Sequence, residues 1–320
     1  MSEKDTFLKK GTIFGIISAI LIGLEPIVAN LRLITDVYID PVIFATMTAF
    51  FEAVIFLPIY LNERRNLNKL REKEPLVNDN IESKLNGWKM KKNIALLLSI
   101  SIVFSVVPVL LYIGFEEAGN VNASLTLKTE IIFSMLYGHF ILNEKITKIQ
   151  ILFSGVLFIG LILAVTQGSF NLLEFNIGVL ILLIDVAIFT FMHTLTKKGL
   201  DRKEITPIQV VFIRNLFSSV FLLIFYIFIF PGRNISILLD PRNYLFFTLM
   251  AFTYGFALLT WYKTLSFIEI GRATIIVSIT PIITAFFSFI IYGEILTLYH
   301  IIGTIIVISS IYMIVREDRS

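Results

Sequence analysis

Residues 112–151, YIGFEEAGNVNASLTLKTEIIFSMLYGHFILNEKITKIQI, align without a gap on residues 262–301, YKTLSFIEIGRATIIVSITPIITAFFSFIIYGEILTLYHI. The offset is 150, so Tyr112 falls on Tyr262, Ile132 on Ile282, Glu144 on Glu294 and Thr147 on Thr297. Each stretch is a long apolar run that ends in a short glutamate–threonine motif. Outside the aligned stretches, Asp40-Pro41 and Thr206-Pro207 correspond as the starts of two further apolar segments. A repeat on this scale decides the architecture before any single residue is considered.

Working outward, ten segments of about 20 mainly apolar residues fit the length a membrane helix needs. They run approximately over 11–32, 41–61, 93–115, 120–142, 148–166, 174–197, 206–230, 243–266, 270–292 and 296–315. Pro41, Pro207 and Pro241 stand at segment starts, where a missing N–H is tolerated. The 320 residues are 56% apolar and 16% charged, with 30 Phe. An ordinary soluble domain has about 45–50% apolar and about 25% charged residues. Composition therefore excludes a soluble enzyme, a disordered chain and a basic nucleic-acid binder. The net charge of +3 is too small to imply a polyanionic partner, and with no Cys there is no disulfide framework or thiolate site. Segment 11–32 exceeds a signal-peptide core of about 7–15 residues and is read as a retained first span. The fold class expected is all-α, a polytopic membrane protein of ten transmembrane helices.

Alternate connections, counted from the N-terminus, carry 21 Lys and Arg residues, and the opposite set carries 3. That asymmetry predicts both termini on the cytoplasmic side of the plasma membrane. The long connection 62–92 has nine Lys/Arg and five Asp/Glu and reads as a solvated cytoplasmic loop, with attraction to anionic headgroups as the alternative. Five spans per half is an odd number, so residues 1–166 and 167–320 form two repeats of inverted topology. Such repeats suit alternating access around a midplane site.

The chain here resembles the EamA-type members of the drug/metabolite transporter superfamily. The resemblance rests on the two five-span repeats and on a closing signature. That signature is Thr280-Pro281, Gly293-Glu294, Thr297 and Gly303 in the second half, and Glu144, Thr147, Gln150 and Gly160 in the first. The first half departs at Ile131, Asn143 and Phe153, and the connection after the second span is long for the family. The resemblance implies a ten-helix carrier of small metabolites, with spans 1, 3, 4, 6, 8 and 9 around a central cavity and 5 and 10 peripheral.

Ionisable groups deep in a span are expensive and should face a cavity or pair. Glu25 precedes Pro26, whose ring removes a helical N–H, and it is a candidate for holding a proton or an ammonium group. Lys128 and Glu130 are two residues apart, about 200° around a helix, so they are expected on different faces with different jobs. Asp185 is expected as a second proton site or as the partner of Lys128. Glu52 and Arg214 are expected to neutralise one another across neighbouring spans. Glu144 and Glu294, equivalent in the two halves, suggest a structural role such as capping the next helix or pairing near the interface. Tyr112, Trp261 and Tyr262 are candidates for stacking on a substrate, against ordinary packing. Pro26 and Pro281 are candidate kinks. Gly11, Gly15, Ala19 and Gly23 recur every four residues and read as a packing stripe.

A membrane-embedded enzyme would need a nucleophile–base pair or clustered ligands. His139, His193 and His300 lie on separate spans, and no phosphate-cradling glycine loop is present. The expected activity is transport of an amino-acid-like or drug-like metabolite, most simply export, with no catalytic residue, metal or organic cofactor. A non-transporting scaffold and a membrane enzyme are the alternatives. The partners expected are a small-molecule substrate and membrane lipid, and no nucleic acid.

Overall fold

An apolar solvent offers the backbone no partner, so each crossing segment must satisfy its own amides within a helix. The computed structural model describes residues 3–34, 39–73, 78–142, 146–169, 176–229, 237, 240–268, 273 and 276–317, and among them it contains helices and no strand. In chain order the α-helices are α1 (Glu3–Asn30), α2 (Pro41–Lys73), α3 (Asn78–Asn86), α4 (Lys91–Ala118), α5 (Asn120–Leu127), α6 (Glu130–Leu142), α7 (Lys148–Val165), α8 (Ile177–Asp201), α9 (Pro207–Ile229), α10 (Pro241–Phe267), α11 (Thr280–Tyr292) and α12 (Leu298–Glu317). Among the described residues, seven stretches are long and apolar enough to cross a membrane, carried by α1, α2, α4, α7, α8, α9 and α10.

The repeated threonine has a local purpose. Thr147 accepts from the Gln150 N–H while its own N–H donates to Gln150 Oε1, a capping box at the start of α7. Thr206 and Gln209 make the same exchange at the start of α9. Thr297 and His300 reproduce it at α12, with the His300 ring in place of the glutamine. The cap expected of the glutamates is thus made by threonines.

The expected fourth span is two helices. Lys128 and Thr129 form a turn between α5 and α6, with the Lys128 N–H bonded to Leu125 O and the Thr129 N–H to Thr126 O, three residues back. Thr126 and Thr129 also turn their hydroxyls onto the backbone carbonyls of Asn122 and Thr126. Back-bonding of this kind competes with the regular ladder. Ser278 and Ile279 form a turn at the equivalent position, directly before α11. Pro281 accompanies the second interruption. The first occurs with Ile131 in that place, so the break does not depend on the proline.

The closest packing partners are α1 with α10, α7 with α12, α2 with α9, and α4 with α8. Each pair joins a helix of the first half to one of the second. The glycine stripe of α1 is a contact surface: Cβ atoms built at Gly11, Gly15 and Gly23 would lie 2.5, 3.1 and 2.8 Å from Ile268, Ile276 and Ile283. At the crossing of α7 and α12, a Cβ on Gly303 would stand 2.6 Å from the Gly160 carbonyl oxygen. Outward faces are apolar: Ile13, Ile16, Ile17 and Ile20 of α1 are all exposed, as are Phe225 and Phe228 of α9. Such surface suits lipid as solvent.

Segment 62–92, expected to be a solvated loop, is largely folded. α2 continues to Lys73, and Arg64 Nη1 donates to the carbonyl of Leu85 in the last turn of α3. Glu204, in the α8–α9 turn, accepts from Lys92 Nζ at 2.6 Å and from Asn93 Nδ2 at 2.9 Å. Those donors hold the Glu204 carboxyl below the usual carboxylate range.

Candidate functional site

Side chains of α1, α4, the α5–α6 junction, α8 and α10, together with Val277, enclose a cavity of about 80 Å³ in the centre of the bundle. Glu25 enters from α1, Lys128 and Glu130 from the interruption of the fourth span, and His193 from α8. Phe104, Phe189, Tyr254 and Trp261 supply aromatic walls. The charged lining comes from the first half and much of the aromatic wall from the second.

Lys128 and Glu130 line the same cavity, which corrects the expectation of different faces. The 200° separation holds only for a continuous helix, and the chain departs from one at Lys128 and Thr129. Lys128 Nζ donates to the Val277 carbonyl at 3.3 Å. The chemistry of that acceptor is set four residues on: Pro281 has no N–H to return to Val277, so the carbonyl is left for another donor. The side chain of one interruption therefore bridges to the backbone beside the other.

Two more prolines act on the same cavity. Pro26 lies inside α1 and Pro108 inside α4. Each withholds its helical N–H from the carbonyl four residues earlier, on Ile22 and Phe104. Both of those residues line the cavity. Pro108 was not singled out from the sequence, although its spacing from Phe104 matches that of Pro26 from Ile22. The helix remains continuous through Pro26.

Of the aromatic candidates, only Trp261 lines the cavity. Tyr112 is fully buried against Phe44, with ring centroids 4.8 Å apart, outside the cavity lining. Tyr262 is likewise buried, and its hydroxyl meets His193 Nδ1 at 3.1 Å, so it orients a lining side chain. His193, Tyr254, Phe104 and Phe189 were missed as lining residues. Their positions on α4, α8 and α10 do fall on spans that the family resemblance placed around the centre.

Asp185 is not in the lining and does not pair with Lys128, which corrects the expectation of that pairing. It is fully buried on α8, and neither carboxylate oxygen has a hydrogen-bond partner among the described residues. Glu52 and Arg214 are paired as expected, Nη2 to Oε2 at 3.5 Å, with both side chains 1% exposed. Asn215 Nδ2 also donates to Glu52 Oε2. The guanidinium lies over the Phe104 ring at 4.5 Å and the Tyr254 ring at 5.5 Å, so the pair backs two cavity walls.

Glu294 accepts from Asn120 Nδ2 at 3.3 Å, from the Val121 N–H at 3.5 Å and from Ser288 Oγ. It serves the start of α5 in the other half, instead of the helix that follows it. Glu144 lies outside the described residues. Among the described residues, no cluster of three His, Asp or Glu side chains is arranged to hold a metal ion.

Apolar crossing helices around a buried, charged cavity define a multi-pass membrane protein. The chain belongs to the EamA-like transporter family, which matches it twice, over residues 9–166 and 176–316. An uncharacterized transporter of Methanothermobacter thermautotrophicus is 26% identical over 232 residues, covering 71% of this chain and 66% of the relative. The uncharacterized transporter YetK of Bacillus subtilis is 28% identical over 239 residues, covering 72% of this chain and 70% of the relative. The matches thus span about two thirds of the relatives' own lengths. A solved crystal structure shares the fold, with a TM-score of 0.66 over 97% of this chain and 98% of that one, at 10% identity.

Proposed function

We propose that the chain is a secondary transporter that moves a small metabolite through the central cavity by alternating access, in the direction of export. In this reading ten transmembrane helices form two inverted five-helix repeats, 1–166 and 167–320. The α5–α6 pair is the fourth crossing, the segment ending in α11 is the ninth, and α12 is the tenth. Both termini face the cytoplasm of the plasma membrane.

The observation that carries the reading is the pair of equivalent interruptions, Lys128-Thr129 and Ser278-Ile279, beside one cavity that both halves enclose. Discontinuous helices at a repeat interface place polar backbone and charge at mid-membrane, where a carrier holds its cargo. Glu25, Lys128 and Glu130 bind cargo or exchange a proton, and Trp261 packs on it. Tyr262 acts through His193. Glu52, Arg214 and Glu294 hold the scaffold. Asp185 and Tyr112 make no direct contact with cargo. Transport is favoured over catalysis by the match to the EamA-like transporter family over both halves of the chain.

The test begins with a metabolite screen for thermal stabilisation, since a ligand that binds only the folded form raises its melting temperature. Hits are then assayed for flux in proteoliposomes. Wild type should move at least one hit down its gradient, and Glu25→Gln should abolish flux while the protein still folds. Binding without flux would favour a scaffold, and conversion of the hit to product would favour an enzyme.

A further inference from the structure

A second concavity lies outside the central cavity, at the end of the bundle carrying the start of α1, the end of α10 and the start of α9. It is a surface groove of about 520 Å³ lined by Lys10, Ile13, Phe14, Pro207, Lys263, Ser266 and Phe267. The rings of Phe14 and Phe267 stack within 3° of parallel, their centroids 6.0 Å apart. Lys263 Nζ stands over the Phe14 ring, 5.0 Å from its centroid. One wall is therefore a flat aromatic surface with a positive charge held on it. Lys10, one helical turn before Phe14 on α1, is exposed and adds a second charge at the same rim.

The groove continues into an apolar track. Ile13, Ile16, Ile17 and Ile20 are exposed at helical spacing along the outer face of α1. This track leads from the two lysines toward the middle of the bundle's lipid-facing side. Among the described residues, Glu63 is an acid within electrostatic reach of Lys263, and its carboxylate accepts from Thr206 Oγ1 at 2.6 Å. The described lining of the groove carries two lysines and no acid. The Lys/Arg asymmetry of the sequence assigns this end to the cytoplasm, where the leaflet is anionic.

We propose that this groove binds one anionic phospholipid, its phosphate between Lys10 and Lys263 and an acyl chain along Phe14 and the α1 isoleucines. A headgroup alone would leave the aromatic wall and isoleucine track uncovered, and a neutral lipid would leave the two ammonium groups uncompensated. α1 and α10 both line the central cavity, so the lipid would brace the two helices where the first and second halves meet.

The test uses the full chain, purified in detergent, stripped of lipid and incubated with equimolar phosphatidylglycerol and phosphatidylcholine of matched chain length. Retained lipid is counted by native mass spectrometry. Each lysine near an anionic headgroup contributes about fivefold in affinity, so wild type should prefer phosphatidylglycerol by about thirtyfold. The Lys10→Gln, Lys263→Gln double variant should show no preference, and Lys10→Arg with Lys263→Arg should keep it. Lys10→Gln alone, at an exposed helix position, should lose about fivefold and serves if the double variant folds poorly. Equal retention of both lipids by wild type would overturn the proposal. So would an undiminished preference in the glutamine variants, or its loss in the arginine variant.

Discussion

Replacing either partner of the Glu52–Arg214 pair tests how this protein tolerates charge at the centre of its bundle. At 3.5 Å, two unit charges attract by about 5 kcal/mol if the effective dielectric is about 20. Both side chains are 1% exposed, so desolvation opposes most of that gain. Removing one partner leaves the other charge buried and uncompensated, which typically costs about 3–5 kcal/mol. Glu52→Gln should fall toward the lower end of that range. The guanidinium keeps its Phe104 and Tyr254 rings, and a desolvated cation–π contact contributes about 2 kcal/mol. Arg214→Met should fall toward the upper end, because Glu52 then retains only the Asn215 amide. The double variant should lose less than the sum of the two, by about 2–3 kcal/mol. Equilibrium unfolding in mixed micelles with increasing dodecyl sulfate, followed by Trp fluorescence, measures all four corners of the cycle. A coupling below about 0.5 kcal/mol is the additive limit for independent sites and would refute mutual neutralisation. Glu52 would then be held as a neutral acid by Asn215.

Four further outcomes follow from the geometry. Gly303→Ala should destabilise by about 1–3 kcal/mol, because its Cβ would meet the Gly160 carbonyl oxygen, whereas Gly155→Ala, with nothing within 4 Å, should be neutral or stabilise by up to about 1 kcal/mol. Asp185→Leu should raise stability by about 1–3 kcal/mol in the same titration, because it removes a buried carboxyl with two orphaned oxygens; a loss would reveal a partner that the fold does not display. The Glu204 carboxyl is held low in the folded protein, so its contribution is complete above the ordinary carboxylate range and vanishes as pH falls through the lowered value. Melting temperatures of wild type and Glu204→Gln should accordingly differ at pH 7 and converge in acid. Finally, a cysteine at Ser83 should resist an impermeant thiol reagent in intact cells while one at Ser169 reacts, and the reverse pattern would invert the topology.

Several features of the site were legible before any coordinates, and the reasons differ. Glu25 was found because an acid beside a proline in an apolar run is costly unless it faces something polar. The Glu52–Arg214 pair was found because opposite charges at similar depth on corresponding spans have few other ways to be neutralised. Lys128 and Glu130 were placed on different faces because a helical angle was applied across a point where the helix stops. The threonine back-bonding that accompanies the stop is a local signal, and Pro281 at the equivalent place in the other half was a second. Asp185 does not pair with Lys128, because depth in a span says nothing about which way a side chain points. Segment 62–92 reads from its charge as a loop, although α2 runs on to Lys73, α3 follows, and Lys92 at its end meets Glu204, far away in sequence.

The sequence by itself determined what one-dimensional pattern can carry: apolar runs of membrane length and their repeat at an offset of 150. These follow from local physics, since a backbone in lipid must bond to itself. Tertiary structure alone decided which of the buried polar groups meet. Whether Lys128 reaches Val277, whether Tyr262 faces the cavity or supports His193, and whether Asp185 has a partner all depend on the rotation of each helix about its axis. That rotation is set by contacts between halves, such as the α1 glycines against Ile268, Ile276 and Ile283, and no single segment contains both sides of them.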